Sequence, residues 1–133
     1  MEGKIKLDIV TPHGSVLSEE VDEITAPGSE GEFGVLAGHE SFITSLNIGV
    51  LTCKTGNKTE YVFINSGYIE VTAEKTIVLA DSAERSDEID AERAAAAKQR
   101  AEERLKHADN VDFARATAAL ERATTRIQLA QRK

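Results

Sequence analysis

The sequence predicts a β-rich N-terminal domain followed by a pair of α-helices, and three observations carry that expectation. Apolar and polar residues alternate through the N-terminal two thirds of the chain, as they do where one face of a strand is buried. Turn-forming residues recur there at short intervals. From Asp87 onward the apolar period lengthens to three or four residues, and neither Gly nor Pro occurs after Gly67. The expected division is a β-domain at residues 1–86 and a helical hairpin at 87–133.

The strands are legible in order. Ile5, Leu7 and Ile9 alternate with Lys4, Lys6 and Asp8. Tyr61, Phe63 and Asn65 alternate with Glu60, Val62 and Ile64, and Ile77 and Leu79 with Thr76 and Val78. Turn residues at 12–14, 27–31, 38, 49, 55–58, 67 and 73–75 punctuate the chain. Many short strands so spaced predict a β-sandwich or small barrel of roughly 80 residues.

Beyond Asp87 a first stripe runs through Ala94, Ala97, Ala101, Leu105 and Ala108, and a second through Phe113, Ala116, Leu120, Ala123, Ile127 and Ala130. Residues 107–110 form a short polar break in which Asn110 is a candidate N-cap, so the helices fold back as an antiparallel hairpin. The seam is mostly alanine. Each methyl contributes about 0.8 kcal/mol of burial against the entropy of ordering its residue, so the pair is weakly held. Alanine is also the best helix former, and each helix tolerates separation from its partner when another surface covers the stripe.

Composition excludes several classes of function. The 133 residues carry 16 Lys and Arg against 23 Asp and Glu, a net charge of −7, which disfavours nucleic acid and anionic membranes as partners. No stretch reaches the roughly 20 apolar residues that span a bilayer, and the N-terminus has no signal-peptide pattern, so no membrane insertion is expected. Cys53 has no partner for an internal disulfide and reads as a buried, inert thiol. His13, His39 and His107 lie far apart, with no ligand cluster at zinc or iron spacing, so no metal is expected. Phosphate-loop, dinucleotide-fold and nucleophile-elbow motifs are absent from the sequence, which speaks against an enzyme.

The charge is unevenly spread. Residues 1–86 hold 6 basic and 14 acidic groups, and residues 87–133 hold 10 and 9. From Arg115 onward, Arg115, Arg122, Arg126, Arg132 and Lys133 face the single acid Glu121, so that end attracts anions.

Three segments resemble one family, the ε subunit of bacterial F-type ATP synthases: Gly31-Glu32-Phe33-Gly34-Val35-Leu36-Ala37-Gly38-His39, Ser66-Gly67-Tyr68-Ile69-Glu70-Val71, and Leu79-Ala80-Asp81-Ser82-Ala83-Glu84-Arg85. The resemblance covers the whole chain. It departs at Glu40-Ser41-Phe42, where the family usually has a small residue, proline and Leu or Val. It implies a ten-stranded β-sandwich followed by a helical hairpin on the central stalk of the rotary motor, at the cytoplasmic face of the cell membrane. The γ subunit, the c-ring and the β subunit are the implied partners. Glu32 and His39 match positions implicated in the c-ring and γ contact, and no active site is implied.

The resemblance also implies regulation. Family hairpins can open so that basic residues meet an acidic segment of the β subunit and ATP hydrolysis stops; Arg115, Arg122 and Arg126 are the matching residues here. Ile89-Asp90-Ala91-Glu92-Arg93-Ala94 matches the motif with which some bacterial members bind ATP on the folded hairpin. Glu84, Ile89, Asp90, Arg93, Ala94, Arg100, Arg122 and Arg126 fill the expected positions. Asp90 is suited to accept from the adenine amino group, and the arginines to neutralise the triphosphate with planar, multi-donor groups. Without a phosphate-loop lysine, ATP is expected as a regulatory ligand that is not hydrolysed. Two alternatives stand beside this reading: a stalk subunit without a functional ATP site, and a free-standing nucleotide-sensing module.

Overall fold

The computed structural model describes residues 4–38, 40–107 and 110–131. Contacts divide the chain after Arg85 into two compact units. The first contains β1 (Ile5–Thr11), β2 (Gly14–Val21), β3 (Glu23–Gly28), β4 (Gly31–Leu36), β5 (Phe42–Leu46), β6 (Gly49–Thr55), β7 (Lys58–Val71) and β8 (Lys75–Arg85). The second holds a short 3-10 turn (Ser86–Glu88), α1 (Ala91–Leu105) and α2 (Asn110–Ala130).

One sheet folds over on itself to make the sandwich, and β3 and β7 are the strands that turn the corner. Residues 58–64 of β7 pair with β6, and residues 67–71 pair with β5. Likewise β3 meets β6 through residues 23–25 and β5 through Gly28 opposite Leu46. The sheet continues outward through β8, β1 and β2, with β1 and β8 running parallel. At the bend in β7, Ser66 has φ 57° and Gly67 φ 147°. A side chain at Gly67 would run into the Leu79 carbonyl and lie 2.8 Å from Ala80 Cα, so glycine is required by both conformation and space.

The family resemblance implied ten strands; eight are present among the described residues. The difference lies in β7 and β8, which are 14 and 11 residues long. They keep one register from Val62 opposite Arg85 to Val71 opposite Thr76, with the pairing skipped at Ser66, and each passes through the corner as one strand.

The core lies between the layers, where Ile5, Leu7 and Ile9 of β1 meet Leu17 and Val21, Ile24, Leu51, Val62 and Ile69. In β8 the buried set is Thr76, Val78 and Ala80, while Leu79 is 57% exposed. The register decides this: Leu7 is opposite Thr76 and Ile9 opposite Val78, so these residues share the inward face despite the greater hydrophobicity of Ile77 and Leu79. Alternation fails in β7, where Val62, Phe63 and Ile64 are all fully buried. Phe33 and Phe42 join β4 to β5 edge to face at 5.3 Å. Asp22, between β2 and β3, accepts from Gly56 N–H at 2.7 Å and pairs with Lys4 Nζ at 2.6 Å.

In the helical unit Ala94 and Ala101 of α1 and Ala116, Ala123 and Ala130 of α2 are buried. Leu129, outside the expected stripe, is fully buried, whereas Phe113 is 54% exposed. Ala108 of the first stripe lies outside the described residues, as does the side chain of Asn110, so the N-cap expected there is not described.

Candidate functional site

The site residues on the hairpin follow from how the two helices begin and pair. Asp90 is the N-cap of α1: its backbone is extended (φ −82°, ψ 100°), and Oδ1 accepts from Arg93 N–H at 3.0 Å. A carboxylate there satisfies an otherwise orphaned donor and faces the positive end of the helix dipole. Capping starts the helix at Ala91, four residues later than the periodicity suggested. Ile89 and Ala94, on either side of the cap, are 7% and 4% exposed. They serve first as packing residues.

Further along, a cleft of about 250 Å³ opens between the helices, lined by Ala97, Arg100, Ala101 and Arg104 of α1 and Ala119, Arg122, Ala123 and Arg126 of α2. Small side chains let the helix backbones approach, and long ones wall the gap. Arg100 and Arg104 are one turn apart on α1, as are Arg122 and Arg126 on α2, so each pair shares a helix face. Arg122 and Arg126 are half-buried, and Arg100 and Arg104 are exposed. Neighbouring guanidinium groups repel, and an anion that joins them relieves the repulsion.

The structure thus brings together Arg100, Arg122 and Arg126 of the expected set. Arg93 and Arg115, both exposed, are not among the cleft's lining residues. Arg104 is, although the family motif does not include it. Its signal was present in the sequence as the four-residue step from Arg100, which repeats the step from Arg122 to Arg126.

The other expected positions belong to the first unit. Glu84 lies in β8 opposite Phe63. Glu32 is exposed in β4 opposite Pro27, beside the tight connection where Gly28 meets Gly31. His39 lies outside the described residues. Cys53 is buried, and burial, with Glu60 and Glu19 adding to it, raises its thiol to about 11, so it is neither a nucleophile nor a ready metal ligand at neutral pH. Among the described residues no group of three or more His, Cys, Asp and Glu side chains is placed to hold a metal ion. No helix among them is long and apolar enough to cross a membrane.

A β-sandwich followed by a two-helix unit is the architecture of a known pair of stalk domains. Residues 4–86 match the family model for the ATP synthase Delta/Epsilon chain, beta-sandwich domain, and residues 87–131 match its long alpha-helix domain. The ATP synthase epsilon chain of Thermodesulfovibrio yellowstonii is 53% identical over 108 residues, 81% of this chain and 77% of that protein. The epsilon chain of Trichlorobacter lovleyi is 58% identical over 106 residues, 80% and 77% of the two chains. A chain in the Euglena gracilis mitochondrial ATP synthase OSCP/F1/c-ring structure superposes with a TM-score of 0.83 at 28% identity, covering 98% of this chain and 82% of that one. A Tetrahymena thermophila central stalk and c-ring chain shares the fold at a TM-score of 0.63 and 14% identity. The chain belongs to the ATP synthase Delta/Epsilon family, as an ε subunit of the F-type enzyme. It is a stalk component of that complex and not a catalytic subunit.

Proposed function

We propose that this ε subunit couples rotation to ATP synthesis through its sandwich and restrains ATP hydrolysis through its hairpin. The sandwich docks on the γ subunit and the c-ring at the cytoplasmic face of the cell membrane, with Glu32 turned to the ring. An exposed apolar row on one layer supports such docking. Tyr68 and Leu79 are direct cross-strand neighbours, 62% and 57% exposed, and Ile43 on β5 is 68% exposed. Water-facing apolar side chains in one area of a sheet favour a protein partner.

The hairpin is the switch. When it opens, Arg115, Arg122 and Arg126 meet an acidic segment of the β subunit. When it is folded, Arg100, Arg122 and Arg126 would hold the phosphates of ATP, with Asp90 and Arg93 at the far end of α1. The observation that carries this reading is the arginine-walled cleft over an alanine floor. Arg122 and Arg126 serve both states, so the two engagements exclude one another, and the folded hairpin gains stability by mass action as nucleotide occupies the cleft. The N-cap bond at Asp90 leaves its second carboxylate oxygen for an adenine amino group.

Calorimetric titration of the full chain with ATP tests the switch. The wild type binds one ATP, and Arg126→Ala weakens binding by roughly tenfold or more, the loss of one charge-assisted contact. Equal affinity for the two proteins would remove the cleft from the reading.

A further inference from the structure

We propose that the interhelical cleft is a polyphosphate site that takes a condensed phosphate chain with or without a nucleoside, and that Arg104 supplies its fourth guanidinium group. This deepens the nucleotide reading above and rests on the same cleft.

The helices are consecutive and antiparallel, so numbering runs in opposite directions across the seam. Arg100 and Arg104 wall the cleft from α1, and Arg122 and Arg126 wall it from α2. Two pairs, each one helical turn long, make a four-cornered frame around Ala101 and Ala123, which are 2% and 1% exposed. All eight lining residues are arginine or alanine. Arginine offers planar, multi-donor recognition of phosphate oxygens, and alanine offers a floor without polar preference. Nothing in that lining accepts a hydrogen bond from a base through its side chain, and no aromatic ring there stacks on one.

Size points the same way. At about 250 Å³ the cleft falls below the roughly 300–1,000 Å³ of pockets that enclose a whole drug-sized ligand. It accommodates the phosphate chain and leaves any nucleoside at the rim. Asp90, the residue suited to an adenine amino group, does not line the cleft, and its Oδ1 is engaged by the α1 N-terminus. Recognition in the cleft is therefore of charge and oxygen spacing.

The test is calorimetry on the full chain in EDTA, with sodium tripolyphosphate and ATP titrated separately. Tripolyphosphate is expected to bind one per chain, within about tenfold of ATP, and Arg104→Ala to weaken both by roughly tenfold. Lys98→Ala removes a positive charge from the same helix outside the cleft and leaves both affinities within about twofold. Far-UV circular dichroism checks each variant; if Arg104→Ala loses helix, Arg104→Gln, which keeps much of the stem, is read in its place. ATP binding without tripolyphosphate binding overturns the inference and leaves the nucleotide reading standing. Tripolyphosphate binding without ATP binding does the reverse. If neither binds, both fall. If Arg104 and Lys98 variants lose affinity equally, or Arg104→Ala loses none, the frame is not the site.

Discussion

Thr76 is fully buried, yet its hydroxyl has no hydrogen-bond partner among the described residues. Such a hydroxyl costs about 1–3 kcal/mol, and valine fills nearly the same shape without it. Thr76→Val is therefore expected to raise stability by about 1 kcal/mol, read from the denaturant midpoint at unchanged slope. Periodicity alone could not assign Thr76 to the core, because its neighbour Ile77 is the more apolar residue; the parallel register with β1 makes the assignment. Asp22 illustrates the same dependence on pairing. The Gly56 N–H first, and Lys4 second, hold its carboxyl below the usual range. A depressed folded pKa means that this stabilisation is complete above the unfolded value near 4 and is lost as pH falls through the lower folded value. Asp22→Asn is expected to make unfolding less steeply dependent on pH in that acid range, measured by denaturant melts at a series of pH values. Cys53 shows where sequence sufficed: an apolar alternating segment marked a buried thiol, and iodoacetamide should modify it much faster in the unfolded than in the native protein.

Among the elements, α1 and α2 were legible because a 3.6-residue period needs no knowledge of the partner. The start of α1 was not, because Asp90 caps it locally against a periodicity that continues upstream. Asp90→Ala should destabilise the helical unit by about 1 kcal/mol, while Asp90→Asn, itself a good N-cap, should preserve it. Thermal melts followed by helix signal distinguish the two, and equal losses would mean that the charge matters more than the cap. The arginine cleft was legible in three of its four corners. Arg104 escaped because its four-residue step from Arg100 is ordinary in a charged helix until the opposite helix closes the cleft that it lines with Arg122 and Arg126. The ten-strand count came from the family resemblance; Gly67 marks a turn in the sequence, whereas the backbone bends there and pairing with β8 resumes in the same register beyond Ser66. Gly67→Ala is expected to cost roughly 2 kcal/mol or more in the sandwich, since it adds a strained φ to a steric collision.

For the molecule as a whole, the sandwich core is built entirely from residues of the first unit, from Ile5 to Ala83. Removing residues 88–133 should leave a cooperatively folding β-domain. Under the proposed division of roles, the truncated subunit still joins the complex and supports synthesis, while ATP hydrolysis is released from restraint. Failure of the truncated subunit to assemble would count against that division. Leu79→Glu in the full chain should do the opposite, keeping the fold and weakening assembly on γ, as seen by co-purification. The continuous β7 strand gives the sandwich a further property. Because this strand is stitched into both layers, shear between them would require breaking its hydrogen bonds to β5, β6 or β8. The domain is thus braced against mechanical load, and deformation under torque should fall on joints outside it.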